Sequence, residues 1–377
     1  MLEIFLVFLR IGLVGFGGPI ALVALIEREI CHNKKWLSVE SFTEIFAVCK
    51  LLPGPLAVQV AICCGFQRGR RLGGFLAGVG FLLPALIMII ILGSLYTHNL
   101  NTSSPLVKDV FRFMQDATLA IILCTLWDLI SLYVKNITAW VIVSVCTLLI
   151  YLHPGIEPLA IIAFGVGGLL CYSTLGKDLS KFPAIFAASL PVAASIPKSE
   201  ILYSKLLQLL WICIKAGEFS FGTGLAIIPL LHADLVTSMH WLNDKQFLDG
   251  ITLGQITPGP TTISIVFFGF VVAGIPGLLV SLVGFYIPPM FNALVLIPLF
   301  WKKLTSSPYL KIFTMWAFPA VIGGIASATL KLGISAIRDV LDVVLILIVL
   351  FIVRKKLIPI WALIPICGVL GVISALI

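Results

Sequence analysis

Charge is scarce in this chain. Only 11 % of its 377 residues are Asp, Glu, Lys or Arg, about half the share of an ordinary soluble domain, while 60 % are hydrophobic and the mean hydropathy is +1.14. Such a composition excludes a string of soluble domains and points to an all-α integral membrane protein. Metal and redox signatures are missing too. The nine cysteines, at 31, 49, 63, 64, 124, 146, 171, 213 and 367, form no C-x-x-C pair, and the five histidines lie far apart. No metal site and no cofactor are expected, and the adjacent Cys63-Cys64 reads as packing. There is no H-E-x-x-H and no G-x-S-x-G, so an intramembrane enzyme finds no support and no catalytic residue is assigned. The net charge of +8 is not gathered into a basic domain, which argues against nucleic acid as a partner and for loop cations that set membrane orientation. Residues 4–26 lack a small-residue cleavage site and are expected to be retained as a first membrane helix rather than removed as a signal peptide.

What the chain has instead is a repeated tripeptide. Pro53-Gly54-Pro55 recurs as Pro258-Gly259-Pro260, an offset of 258 − 53 = 205 residues. The neighbourhoods match at the same offset: Arg10 with Lys215, Gly12 with Gly217, Phe16-Gly17 with Phe221-Gly222, Trp36-Leu37 with Trp241-Leu242, Phe42 with Phe247, Gly69 with Gly274 and Pro84 with Pro289. No gap is required over 10–84. The chain therefore reads as two homologous membrane units, 1–174 and 203–377, joined by a linker at 175–202 rich in Lys and Pro. Apolar stretches of spanning length run over 3–26, 43–66, 72–97, 109–134, 203–231, 245–272, 276–300 and 311–330. Shorter ones at 138–152, 157–174, 338–353 and 357–377 bring the expected count to about ten to twelve helices.

Loop charges give the relative orientation of the units. The first carries Arg68, Arg70 and Arg71 where the second has uncharged Val272-Ala273-Gly274, and the second carries Lys302-Lys303 where the first has Thr97-His98-Asn99. Placing both basic loops on one side makes the units inverted repeats.

The chemistry follows from the breaks. Proline lacks an N–H and clashes with the preceding turn, so no continuous helix contains Pro-Gly-Pro. A helix restarting after the break exposes free N–H groups and its positive dipole end, which suits a small tetrahedral oxyanion. Candidate binding residues are therefore Pro53, Gly54, Pro55, Pro258, Gly259 and Pro260, with Lys50, Gln59, Gln255, Thr257, Thr261 and Thr262 as flanking donors. The glycine turns add Gly17, Gly18 and Gly222, and the matched cations Arg10 and Lys215 lie seven residues before those turns. Because the second break has more hydroxyl and amide donors, it is expected to hold the anion more tightly. Glu44 and Asp249, matched at the 205 offset, together with Glu218, which stands one turn from Lys215, are candidate proton carriers.

These residues resemble the chromate ion transporter family in its long, two-domain form. The resemblance rests on Phe8-Leu9-Arg10-Ile11-Gly12, Phe16-Gly17-Gly18-Pro19-Ile20-Ala21, Trp36, Leu52-Pro53-Gly54-Pro55 and Gln59 in the first unit. In the second it rests on Phe221-Gly222-Thr223-Gly224, Pro229-Leu230-Leu231-His232, Phe247-Leu248, Gln255 and Pro258-Gly259-Pro260. It implies a multi-pass protein of the cytoplasmic membrane that exports chromate on the proton motive force and confers chromate resistance. Leu22 stands where the family usually has histidine, Lys50 where it has glutamine, and Thr223 where it has glycine. The expected partners are a chromate- or sulfate-like oxyanion and the lipid bilayer, with a homo-oligomer left open. Transport of another anion, or translocation of a phosphorylated lipid, is the competing reading.

Overall fold

The computed structural model describes residues 1–99, 104–175, 205–222 and 224–376. Residues 176–202 of the expected linker, and Thr223, lie outside the described residues. The first unit contains α1 (Leu2–Val14), α2 (Gly18–Glu27), α3 (Val39–Leu51), α4 (Leu56–Ser94), α5 (Pro105–Tyr133), α6 (Ile137–Leu152) and α7 (Glu157–Leu175). The second contains α8 (Lys205–Glu218), α9 (Ile227–Leu231), α10 (Asp244–Ile256), α11 (Ser264–Phe291), α12 (Ile297–Ser306), α13 (Pro308–Ala336), α14 (Val340–Arg354) and α15 (Ile360–Leu376). That is fifteen α-helices among the described residues, more than the expected ten to twelve, because the apolar stretches at 3–26, 43–66, 203–231 and 245–272 are not single spans.

Each of those stretches folds back on itself. Cys49 Sγ lies 3.7 Å from Cys63 Sγ, although 14 residues along one helix would separate them by about 21 Å. Phe247 stacks on Phe268 at 4.8 Å in the second unit. So α3 and the start of α4, like α10 and the start of α11, are the arms of a hairpin with Pro-Gly-Pro at its tip. The glycine turns are tips as well. Glu3 pairs with Lys34 at 3.3 Å across the first, and Lys215 with Asp234 at 2.6 Å across the second. Local chemistry sets the arms. Ser38 caps α3 through the N–H of Ser41, and Asn243 forms a reciprocal capping box with Gln246 on α10.

A sharp fold-back also divides α4 at Gly69 and Arg70, where Arg70 has φ +52°, and α11 at Ala273 and Gly274, where Gly274 has φ +61°. These equivalences have an offset of 204, not 205. The gapless match therefore holds only up to the break, and Gly274 corresponds to Arg70 rather than Gly69. Phe81 and Phe285 keep the same slip. The carbonyl of each lies where a Cβ on Gly12 or Gly217 would overlap it, and this is the close approach those glycines allow.

The contacts settle the orientation. Gly12 and Gly80 pack α1 parallel to the second limb of α4, so residues 1–3, 33–39 and 68–71 share one face. Gly74 meets Leu294, just past the end of α11, and Gly78 meets Met290, so that limb of α4 runs antiparallel to the corresponding limb of α11. The second unit is thus inverted: its hairpins enter from the opposite face, and residues 297–301 return to the first. That first face collects Arg68, Arg70, Arg71, Lys135, Arg354, Lys355 and Lys356, and the backbone of the Lys302-Lys303 loop. The helices after the fold-back, α5 to α7 and α13 to α15, traverse between faces, and α5 and α13 are each 29 residues long and apolar enough to cross a bilayer. By the same count α7 ends at the basic face and α8 begins at the other.

Single cysteines placed in a background without the native thiols should report this arrangement. At Arg70 and Ser307 they should react with an impermeant maleimide from one side of the membrane, and at His240 and Asp339 from the other. Reaction of all four from one side contradicts the inversion.

Candidate functional site: two junctions between hairpin tips

The tips meet across the repeat. The Gly54 N–H donates to the Ser220 carbonyl at 2.8 Å, and the Gly259 N–H donates to the Gly15 carbonyl at 2.6 Å. Gly54 corresponds to Gly259 and Gly15 to Ser220, so these are one bond made twice, each joining a Pro-Gly-Pro tip of one unit to the glycine turn of the other. Both Pro-Gly-Pro glycines take positive φ, +129° at Gly54 and +90° at Gly259, a conformation open to glycine at little cost.

Helix starts cluster at the junctions. Pro55 precedes α4, Pro260 precedes the 3-10 turn at Thr261–Ile263, and Gly17 precedes α2, and none supplies a side-chain cap. The first turn of α4 is enclosed, with Leu56 5 %, Ala57 3 % and Val58 0 % exposed. N–H groups without a side-chain cap in such surroundings are suited to an anion.

Junction one, where Pro53-Gly54-Pro55 meets Ser220-Phe221-Gly222, is the more heavily functionalised. The Pro53 carbonyl accepts from Gln59 Nε2 at 2.6 Å and from Asn292 Nδ2 at 3.1 Å. Asn292 also hydrogen-bonds Glu218, so Glu218 pairs there and not with Lys215, whose ammonium is taken by Asp234. Half-buried Lys50 sits 5.2 Å from the Tyr133 ring centroid, Tyr133 stacks on Phe318 at 4.5 Å, and Phe318 meets Phe221 edge-on at 6.3 Å. A cation, a carboxyl group and an aromatic stack thus surround one tip.

Junction two, where Pro258-Gly259-Pro260 meets Gly15-Phe16-Gly17, is plainer. Thr257 donates to its own helix at Gly254, and Thr262 shares a hydrogen bond with Tyr286. Two of the four donors behind the expected preference for the second break are therefore engaged internally, as Gln59 is at the first, so the count of side-chain donors alone does not decide between the breaks. Among the described residues Gln255 and Thr261 have no side-chain hydrogen bond, and they line a small cavity with Ser264 and Leu225.

The other expected residues divide. Arg10 is exposed on α1 with no ion pair among the described residues, so it and Lys215 share a repeat position but not an environment. Gly18, at φ +84°, opens α2 beside the first glycine turn. Glu44 is exposed on α3, whereas Asp249 is buried and held by Tyr96 Oη at 2.8 Å and Gln115 Nε2 at 2.6 Å. Leu22 is a core residue, 1 % exposed. Sequence reasoning missed Asn292, Tyr133 and Phe318, because each comes from beyond the matched stretch.

Inverted repeats whose broken helices meet inside the bundle define a multi-pass membrane protein built like a secondary transporter. The particular family is shown by comparison. The family model described as "Chromate transporter" matches residues 2–171 and again 207–372, once per unit, and the chain belongs to that family. It is 33 % identical to the "Chromate transport protein" of Cupriavidus metallidurans over 94 % of this chain and 88 % of that one. It is 32 % identical to the "Probable chromate transport protein" of Synechococcus elongatus over 88 % of this chain and 84 % of that one. The "Uncharacterized transporter MJ0718" of Methanocaldococcus jannaschii is 26 % identical over 94 % of this chain. No solved structure matches.

Replacing either tip glycine should show what the positive φ is worth. Gly54→Ala and Gly259→Ala should each cost about 1–3 kcal/mol of stability. Gly54→Ala should be the worse, because its Cβ overlaps the Gln59 amide. Thermal unfolding of the detergent-solubilised protein measures both, with Gly333→Ala, which meets only Leu119 at 3.8 Å, as the control expected to match the parent.

Proposed function

We propose that the protein is a secondary transporter of a tetrahedral oxyanion, with chromate the first candidate, exporting it across the cytoplasmic membrane on the proton motive force. The reciprocal junctions, two tips with uncapped helix starts held together by Gly54–Ser220 and Gly259–Gly15, are the observation that carries this reading. Free N–H groups favour an anion without a metal, and Lys50 adds the charge that a dianion needs. The relatives named as chromate transport proteins support chromate over sulfate as the cargo. The positive-inside rule makes the face carrying Arg68, Arg70 and Arg71 the cytoplasmic one.

The junctions also suggest how access alternates. One unit's hairpins come from the cytoplasmic face and the other's from the opposite face. Opening one set of arms while the tips stay paired exposes the junctions to one side at a time. Arg10, Lys215, Gln59 and the Thr257, Thr261 and Thr262 hydroxyls belong to this proposed site as supporting rather than primary contacts. Their hydrogen bonds, where they have them, hold the tips.

Labelled chromate uptake into inverted vesicles tests the reading. Uptake should be abolished by an uncoupler and reduced by excess sulfate only weakly. Uptake that ignores the uncoupler removes the proton drive, and absent chromate uptake with transfer of a phosphorylated lipid favours translocation. Lys50→Gln should raise the apparent KM for chromate about tenfold or more, the loss of one charge-assisted contact, and leave expression unchanged. An unchanged KM takes Lys50 out of the site.

A further inference from the structure

We propose that Asp116 is the proton-binding site of this transporter, which rests on the reading that transport is proton-coupled. Asp116 lies on α5, away from both junctions. It is 1 % exposed, and neither carboxyl oxygen receives a hydrogen bond from a donor among the described residues. The carboxyl that opposes it is that of Asp342 on α14.

Asp342 is already saturated. Its Oδ1 accepts from Arg112 Nε at 2.6 Å, and its Oδ2 accepts from the backbone N–H of Arg338 at 2.7 Å and of Asp339 at 3.2 Å. Those donors hold Asp342 ionised, as a capping box on α14 requires. Arg112 is paired with both Asp342 and Asp339. Two carboxylates facing each other in a buried site repel, which favours one proton between them, and Asp116, with no donor among the described residues, is its carrier. The other groups around it are the guanidiniums of Arg112, one turn earlier on α5, and of Arg338, just before α14, and the Cys367 thiol on α15; Arg112 is already paired with Asp342 and Asp339, Arg338 is exposed to water, and the thiol offers no charge to replace the proton.

The surroundings suit proton exchange. Asp339 and Arg338 are exposed at the face opposite the basic one, so the approach from water to Asp116 passes the carboxylates of Asp339 and Asp342, which Arg112 holds in place. On its other side α5 reaches the second unit's hairpin. Gln115, the residue before Asp116, donates to Asp249 on α10, the arm leading to the second tip. Loading or unloading Asp116 changes the pairing of α5 with α14, and the same helix carries the bond to the hairpin. The step is a proton transfer alone: a proton from water at the opposite face adds to an Asp116 oxygen and is later released, and no electron moves. Asp249, by contrast, has both oxygens satisfied and is a positioning residue for α10.

Asp116→Asn keeps the size and mimics the protonated form. In proteoliposomes, this variant should retain chromate–chromate exchange within about twofold of the parent and lose pH-gradient-driven accumulation by about tenfold or more. Gradient-driven accumulation equal to the parent overturns the assignment, as does loss of exchange and accumulation together in protein that is folded and inserted. If the parent itself exchanges chromate but ignores the gradient, the proton-coupled reading fails before the site does. Where Asp116→Asn does not insert, carbodiimide labelling of the parent decides. A hydrophobic carbodiimide should modify Asp116, less so as pH rises, and label found on other carboxyls but not on Asp116 overturns the proposal.

Discussion

Two backbone hydrogen bonds organise this protein. A chain that breaks inside an apolar bundle leaves N–H and C=O groups that lipid cannot satisfy, at several kcal/mol for each one left bare. Gly54 to Ser220 and Gly259 to Gly15 close that deficit, and each uses an acceptor from the other unit. Neither repeat can complete its own tip. The net gain from one such bond is only about 0.5–1.5 kcal/mol, so the larger effect is the penalty avoided, and the two units must dock for either break to be tolerated. The inverted arrangement and the buried position of the tips follow from the same requirement.

What the tips leave unsatisfied is what the proposed function draws on. Only some of the polar groups there are consumed by the fold. Gln59 and Asn292 serve the Pro53 carbonyl, and Thr257 and Thr262 serve their neighbours. The uncapped N–H groups after Pro55 and Pro260 remain, and junction one adds Lys50 and Glu218. Pseudo-symmetry therefore shapes the site while the charged groups make it unequal. The same holds farther out: Asp116 on α5 is replaced by Pro319 on α13, at 308 − 105 = 203 residues, so a group that exists in one copy alone is where the symmetry ends.

Much of this was legible before any coordinates. The 205 offset pairs α3 and α10 end for end, and the opposed loop charges read the inversion correctly. The gapless match failed after the break for a physical reason. The second unit restarts with a three-residue 3-10 turn, Thr261–Ile263, which rises about 2.0 Å per residue and covers the length of four α-helical residues at 1.5 Å. One residue is thereby saved, and the offset falls to 204. Hydropathy could not tell a hairpin from a span, because it measures how apolar a stretch is and not which way it runs. Direction at Pro-Gly-Pro depends on an acceptor such as Ser220, far away in sequence. The hydroxyls near the second break looked like ligand donors because a sequence does not show that Tyr286 and Gly254 already hold two of them.

The central claim is that an anion sits on the free N–H groups where the tips meet. Hydrogen–deuterium exchange of the purified protein, with and without chromate, addresses it most directly. The account predicts that chromate slows exchange in peptides covering 54–59 and 259–264, with smaller changes at the glycine turns near 15–18 and 220–222. Protection confined to other regions, with the tips unchanged, would contradict it.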